Sequence, residues 1–140
     1  YRRQLVDMAA GDGRVRFLKP VPAGWVARTL LRYDMLAVPS QGMETGPLVV
    51  LEAFAAGIPV VGSDLGGIAE RVVHGVNGLL VQPFDRLDVW TATLKTLVSN
   101  PELVGRLTVG VKPPRGMDDV VRDMLAVYGR VVACSRQVAN

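Results

Sequence analysis

Apolar and polar positions alternate between two spacings along this chain. Four short apolar runs, at residues 15–18, 35–38, 59–62 and 79–82, have strand length and end at Gly, Pro, Asn, Ser or Lys-Pro punctuation. Between them lie segments with helical spacing, at residues 1–10, 24–32, 47–56 and 68–73. Beyond the last run, Asp85 is placed to cap a helix reaching about Val98, with Leu87, Trp90, Leu94 and Leu97 at spacings of three and four. Pro101 opens another short helix. A final one has Asp118 and Asp119 at its positive end and an apolar stripe of Val120, Val121, Met124, Leu125, Tyr128, Val131 and Val132. Short apolar strands separated by helices predict an α/β fold, a Rossmann-like parallel sheet with helices on both faces. The loops at 19–23, 39–46 and 62–67 each follow a predicted strand, so Val21, Glu44 and Gly66 should share one sheet edge. Ligands bind beyond that edge in such sheets.

One residue interrupts the third helical segment. From Pro47 to Ala56 every side chain except Glu52 is apolar. A helix apolar all round is normally buried, and a buried ionised carboxylate is costly unless something binds it. Glu52 is therefore expected to be largely buried and to face the same cleft as the amides of Leu48 and Val49. Glu44 stands eight residues earlier, in a glycine-containing loop ahead of the helix. Two such carboxylates suggest a site for a hydroxyl-rich ligand; a solvated rim Glu and a Glu capping local amides are the plain alternative. Pro47 suits the first helical position and Gly57 the helix stop. The free N–H groups at such a helix start, with its dipole, form an anion site. A nucleotide with phosphates over residues 46–50 and ribose near Glu52 fits this pattern. There is no Walker-type or GxGxxG loop, so an NTPase or dinucleotide enzyme is poorly supported.

Composition narrows the class. The 140 residues suit a single domain that buries roughly two-thirds of its unfolded surface. Hydrophobic content of 49% and charged content of 21% describe an ordered globular chain. Cys134 is the single cysteine, which excludes an internal disulfide and a cysteine-rich metal site. The longest apolar stretch, 47–62, is broken by Glu52, Gly57 and Pro59 and is too short to span a bilayer. Residues 1–32 carry seven basic and two acidic side chains, a surplus of five, while the remainder carries minus two. Such an edge could meet anionic lipid, a phosphorylated substrate or nucleic acid. It lacks the interleaved aromatics of a single-strand binder, and a solvated charged face is preferred. The chain opens with Tyr1 rather than Met, which suggests a piece of a longer protein.

The run PSQGMETGPLVVLEAFAAGIPVVGSDLGGIAERVVHGVNGLLV resembles the donor-binding half of the family 4 glycosyltransferases, retaining enzymes of the two-domain GT-B fold. Glu44-x7-Glu52, the GIPVV stretch at 57–61, Gly66-Gly67 with Glu70, and HGVNGLLV carry the resemblance over about sixty-five residues. RVRFLKPV and RYDMLAVPS look like the strand segments that precede that signature. The resemblance implies transfer of a hexose-like sugar from a nucleotide sugar, UDP- or GDP-linked, with retention and without cofactor or metal. It implies that Glu52 holds the ribose, that Glu44 lies at the donor sugar and its leaving phosphate, and that the amides around Leu48 and Val49 carry the diphosphate. Thr45 and Gly46 belong to the same loop, and the segment near Val21 would meet the base.

Two positions depart from the pattern: Gly46-Pro47 stands where the family commonly has Phe-Gly, and Lys19 where it usually has Gly. Pro47 has no N–H to offer a phosphate. By the same resemblance, residues 1–140 form a partial donor domain. Its first strand–helix unit and the acceptor domain, which would receive a carbohydrate or lipid-linked acceptor, lie outside this chain. The isolated chain is then expected to be inactive, and the full protein to be cytoplasmic with peripheral contact to the inner membrane face. No nucleic-acid partner is expected. A truncated or degenerate nucleotide-binding module without catalysis is the alternative.

Other residues have plain structural readings. His74 reads as a surface residue of a glycine-rich turn and, with no second His, cannot anchor zinc. Ser63-Asp64 reads as a turn closure, and Glu70 as a helix cap or a sugar-side contact. Trp25 and Trp90 read as core packing, and Cys134 as an inert thiol.

Overall fold

Three of the four predicted strands form. The computed structural model describes residues 2–138, with side chains described through Cys134. In chain order the elements are α1 (Arg2–Met8), a 3-10 turn (Ala23–Trp25), α2 (Val26–Leu30), β1 (Leu36–Val38), α3 (Leu48–Ala55), β2 (Val60–Ser63), α4 (Gly66–Arg71), β3 (Gly78–Val81), α5 (Leu87–Ser99), α6 (Pro101–Gly110) and α7 (Met117–Val138). The strands pair in parallel in the order β1-β2-β3, with Leu36 opposite Val60 and Val60 opposite Gly78.

Alternation along the strands sorts their side chains onto two buried faces. Val38 and Val60 pack with Val50, Ala53 and Phe54 of α3 and Ile68 of α4. Val61, Leu79 and Val81 pack on the other side with Trp90 and Leu97 of α5 and Leu107 of α6. Helices therefore cover both faces, as the pattern predicts. Among the described residues no helix is long and apolar enough to cross a membrane.

Residues 15–18 do not form the expected strand. A strand exists only where its amides find a neighbouring ladder. Among the described residues β1 has only β2 beside it, and Val15, Phe17 and Leu18 stay exposed. Doubly wound sheets do not set sequential strands side by side at their switch point, so a segment preceding β1 need not border it.

Helix ends differ in detail from expectation. Pro47 is the extended residue before α3 rather than its first helical residue, while Gly57, at φ 72°, ends the helix region as predicted. Asp85 does not cap α5: that position falls to Arg86, which pairs with Asp88 at 2.6 Å. The Asn100 side chain caps α6 by accepting from the Leu103 N–H at 3.0 Å. Tyr1, the start of the first predicted helix, lies outside the described residues.

Candidate functional site

The loop that leaves β1 and the turn that leaves β2 meet at the carboxyl end of the sheet. Ser40 Oγ donates a hydrogen bond to Glu44 Oε1, and the Gly67 N–H donates to the Glu44 carbonyl at 2.6 Å. Glu44 and Gly66 thus lie on the same edge, as the parallel pattern requires. Glu44 is half-buried, while Thr45 and Gly46 beside it are exposed.

Helix α3 starts directly after this loop. Val50 donates to the Pro47 carbonyl at 3.1 Å. Among the described residues the N–H groups of Leu48 and Val49 have no protein acceptor, as the first amides of a helix normally lack one. Glu52 follows Val49 by three and Leu48 by four, so all three lie on one side of the helix. Val50, Ala53 and Phe54 form the opposite, buried side.

That division corrects the expectation of a largely buried Glu52. It is half-buried, because it sits at the margin of the packed side, one turn beyond the exposed Leu48. Among the described residues its carboxylate has no hydrogen-bond or ion-pair partner. The helix start therefore presents two unpaired N–H groups between a Ser-held carboxylate and an unpaired one, an arrangement suited to an anion bearing hydroxyls.

Val21 stands apart. It is exposed in the extended segment before the 3-10 turn and belongs to neither buried cluster. Because residues 15–18 form no strand, the strand-end reasoning that put Val21 at this edge loses its premise. Sequence reasoning also passed over Ser40, which it treated only as the end of a strand. The available signal was a hydroxyl four residues ahead of the first Glu, in the same loop.

The remaining residues sort cleanly. Trp90 is buried and its indole N–H donates to the Phe84 carbonyl at 2.8 Å. Trp25, by contrast, is not core: it is 55% exposed, with the Arg28 guanidinium 5.3 Å from its ring. Trp25 ends the 3-10 turn ahead of α2, and it is Leu30, at the far end of α2, that packs against the buried cluster. Exposed His74 accepts from the Leu80 N–H at Nδ1, 3.0 Å away, so it braces its turn. Ser63 closes the expected turn through its carbonyl, which accepts from Leu65, while its fully buried hydroxyl has no protein partner among the described residues. Glu70 and Cys134 are exposed.

An apolar groove of about 820 Å³ lies elsewhere, lined by Met35, Gly57, Ile58, Leu94 and Val104 among others. These residues flank the amino ends of β1 and β2, opposite the Glu44 edge, so the groove is not this site.

Comparison with known proteins gives the same direction. The family described as glycosyl transferases group 1 matches residues 1–100. The D-inositol 3-phosphate glycosyltransferase of Jonesia denitrificans is 35% identical over 119 residues, covering 83% of this chain and 28% of that protein. Its namesake from Mycolicibacterium vanbaalenii is 37% identical over 136 residues, covering 94% and 30%. The chain thus spans less than a third of these relatives. HepE of Anabaena, crystallised with UDP, superposes with a TM-score of 0.68 at 26% identity over 79% of this chain and 29% of its own. Sucrose-phosphate synthase of Thermosynechococcus elongatus superposes at 0.79 and 24% identity over 95% and 34%, a likeness of fold.

Proposed function

This chain belongs to the group 1 glycosyltransferases, and on that premise we propose that it is the donor-binding part of a retaining, family 4 enzyme. The observation that carries the proposal is the start of α3, where the unpaired N–H groups of Leu48 and Val49 lie between Glu44 and Glu52. A nucleotide sugar fits that order of groups. Its diphosphate takes the helix amides, its ribose takes Glu52, and its sugar lies toward Glu44, with Thr45 and Gly46 along the loop and the base toward Val21. Fixed amides stabilise the leaving diphosphate as the sugar–phosphate bond stretches, an electrostatic contribution made before the reaction starts. The scheme draws on no metal and no cofactor.

UDP-sugars are the preferred donor class, supported by the HepE structures in complex with UDP and with UDP-glucose. The acceptor, a carbohydrate or a lipid-linked group, belongs to the portion of its relatives that this chain does not span. Relatives named for D-inositol 3-phosphate add a phosphorylated polyol to that range. A nucleotide-binding module without chemistry is the second reading.

Calorimetric titration of UDP, with radiolabelled transfer from UDP-glucose by the full-length protein, tests both. In that protein Glu44→Gln should slow transfer far more than it weakens UDP binding, because its charge matters most as the bond breaks. Transfer at the normal rate by this variant would reject Glu44 as the catalytic carboxylate. UDP binding without transfer by the unaltered protein would favour the module.

A further inference from the structure

Glu44 is held at two points. Its carbonyl accepts from the Gly67 N–H at 2.6 Å, and its carboxylate accepts from the Ser40 hydroxyl through Oε1. The first contact depends on Gly67 having no side chain. A Cβ at 67 would stand 2.7 Å from the Glu44 carbonyl oxygen, 2.8 Å from the Thr45 carbonyl carbon and 2.9 Å from the Gly46 nitrogen. All three are backbone atoms, so relief requires moving the loop itself. A Cβ at 66 would meet the same carbonyl oxygen at 2.9 Å, from a backbone at φ 50° that side chains disfavour.

A glycine pair at a helix start often signals a phosphate cradle. Here the Gly67 amide is already spent within the protein, on the loop that precedes α3. Its partner is the one carboxylate-bearing residue of that loop.

We propose that Ser40, Gly66 and Gly67 are positioning residues for Glu44: the glycines seat its backbone and Ser40 fixes its carboxylate, leaving Oε2 for the donor sugar. The proposal rests on the reading of Glu44 as the residue at the sugar. A shift of the loop by the ångström that a methyl at 67 demands displaces the carboxylate from the bond being broken. The N–H groups of Leu48 and Val49 belong to α3 and not to the loop backbone that the methyl meets, so they are displaced less than Glu44. The effect should therefore fall on turnover more than on nucleotide affinity.

The test uses the full-length protein, with UDP as the binding probe and UDP-glucose as the donor probe. Gly67→Ala should lower kcat about a hundredfold, the scale of a misplacement near 1 Å. UDP affinity should stay within about threefold, since the diphosphate amides are displaced less than Glu44. Ser40→Ala should also lower kcat, and Ser40→Thr, which keeps the hydroxyl, should restore most of it. If Gly67→Ala fails to fold, the two Ser40 variants decide alone, because they change only a half-buried side chain. Wild-type kcat in Ser40→Ala, or Ser40→Thr as slow as Ser40→Ala, overturns the positioning role. A wild-type protein that neither binds UDP nor turns over UDP-glucose instead overturns the underlying reading of Glu44, before any variant is compared.

Discussion

Glu52 illustrates what a sequence says about one residue and what it omits. A single carboxylate in an apolar helix announces an unusual position, but periodicity does not say how far the neighbouring elements wrap around it. The structure leaves Glu52 half-buried and unpaired, enough exposure for a ligand and enough burial to strengthen a bond to one. Glu52→Gln in the full-length protein should weaken UDP binding by roughly 1.5–3 kcal/mol, the worth of a hydrogen bond to a charged group. That is about ten- to more than hundredfold in Kd, and transfer at low donor should fall in step, as for a group that grips ground and transition states alike. Unchanged UDP affinity would remove Glu52 from the ribose.

A second residue-scale expectation concerns Asp12, whose carboxyl is held below its ordinary 3.8 by the Arg14 side chain and then by the Arg14 backbone N–H. A depressed carboxyl stabilises the fold above its unfolded value and loses that contribution as pH falls through the lower, folded one. The carboxyl resonance should therefore titrate below 3.8 by NMR and move up toward it in Arg14→Ala; an unmoved midpoint rejects the pairing in solution.

Elements were legible where local chemistry decides them. Leu36–Val38, Val60–Ser63 and Gly78–Val81 lie within a residue or so of the predicted strands, because short apolar runs between turns must be buried on both faces. Residues 15–18 have the same composition and fail, because pairing belongs to two segments and no neighbour is present for them among the described residues. Caps fared likewise: Gly57 was readable from its type, whereas the choice of Arg86 over Asp85 depended on where the chain turns after Pro83. Gly57 sits at φ 72° with open space where a Cβ would go, so Gly57→Ala isolates the backbone term. It should destabilise by about 1–2 kcal/mol, the cost of left-handed backbone for an L side chain. Chemical denaturation would measure this, and no loss of stability would show that the α3–β2 turn adapts.

For the whole molecule, the site edge and the two buried clusters occupy β1 through α6, and α7 stands outside them. Its stripe from Val120 to Val132 was correctly placed on a helix, yet those apolar side chains remain 40–64% exposed, and none joins either buried cluster. An amphipathic pattern predicts a helix with one apolar side; it does not name what covers that side. A helix whose described side chains join neither buried cluster adds little to the stability of the rest, since helical stability in proteins comes mostly from packing. Deleting residues 117–140 should therefore lower Tm by less than about 4 °C, which is under ~1 kcal/mol for a domain near a hundred residues. The same deletion should lower helical ellipticity and reduce concentration-dependent association of the isolated chain, because it removes a contiguous apolar surface. Thermal unfolding and sedimentation of the two lengths make the comparison. Loss of cooperative unfolding on deletion would mean that α7 packs against the sheet domain in solution, and the two-cluster account of its stability would be wrong.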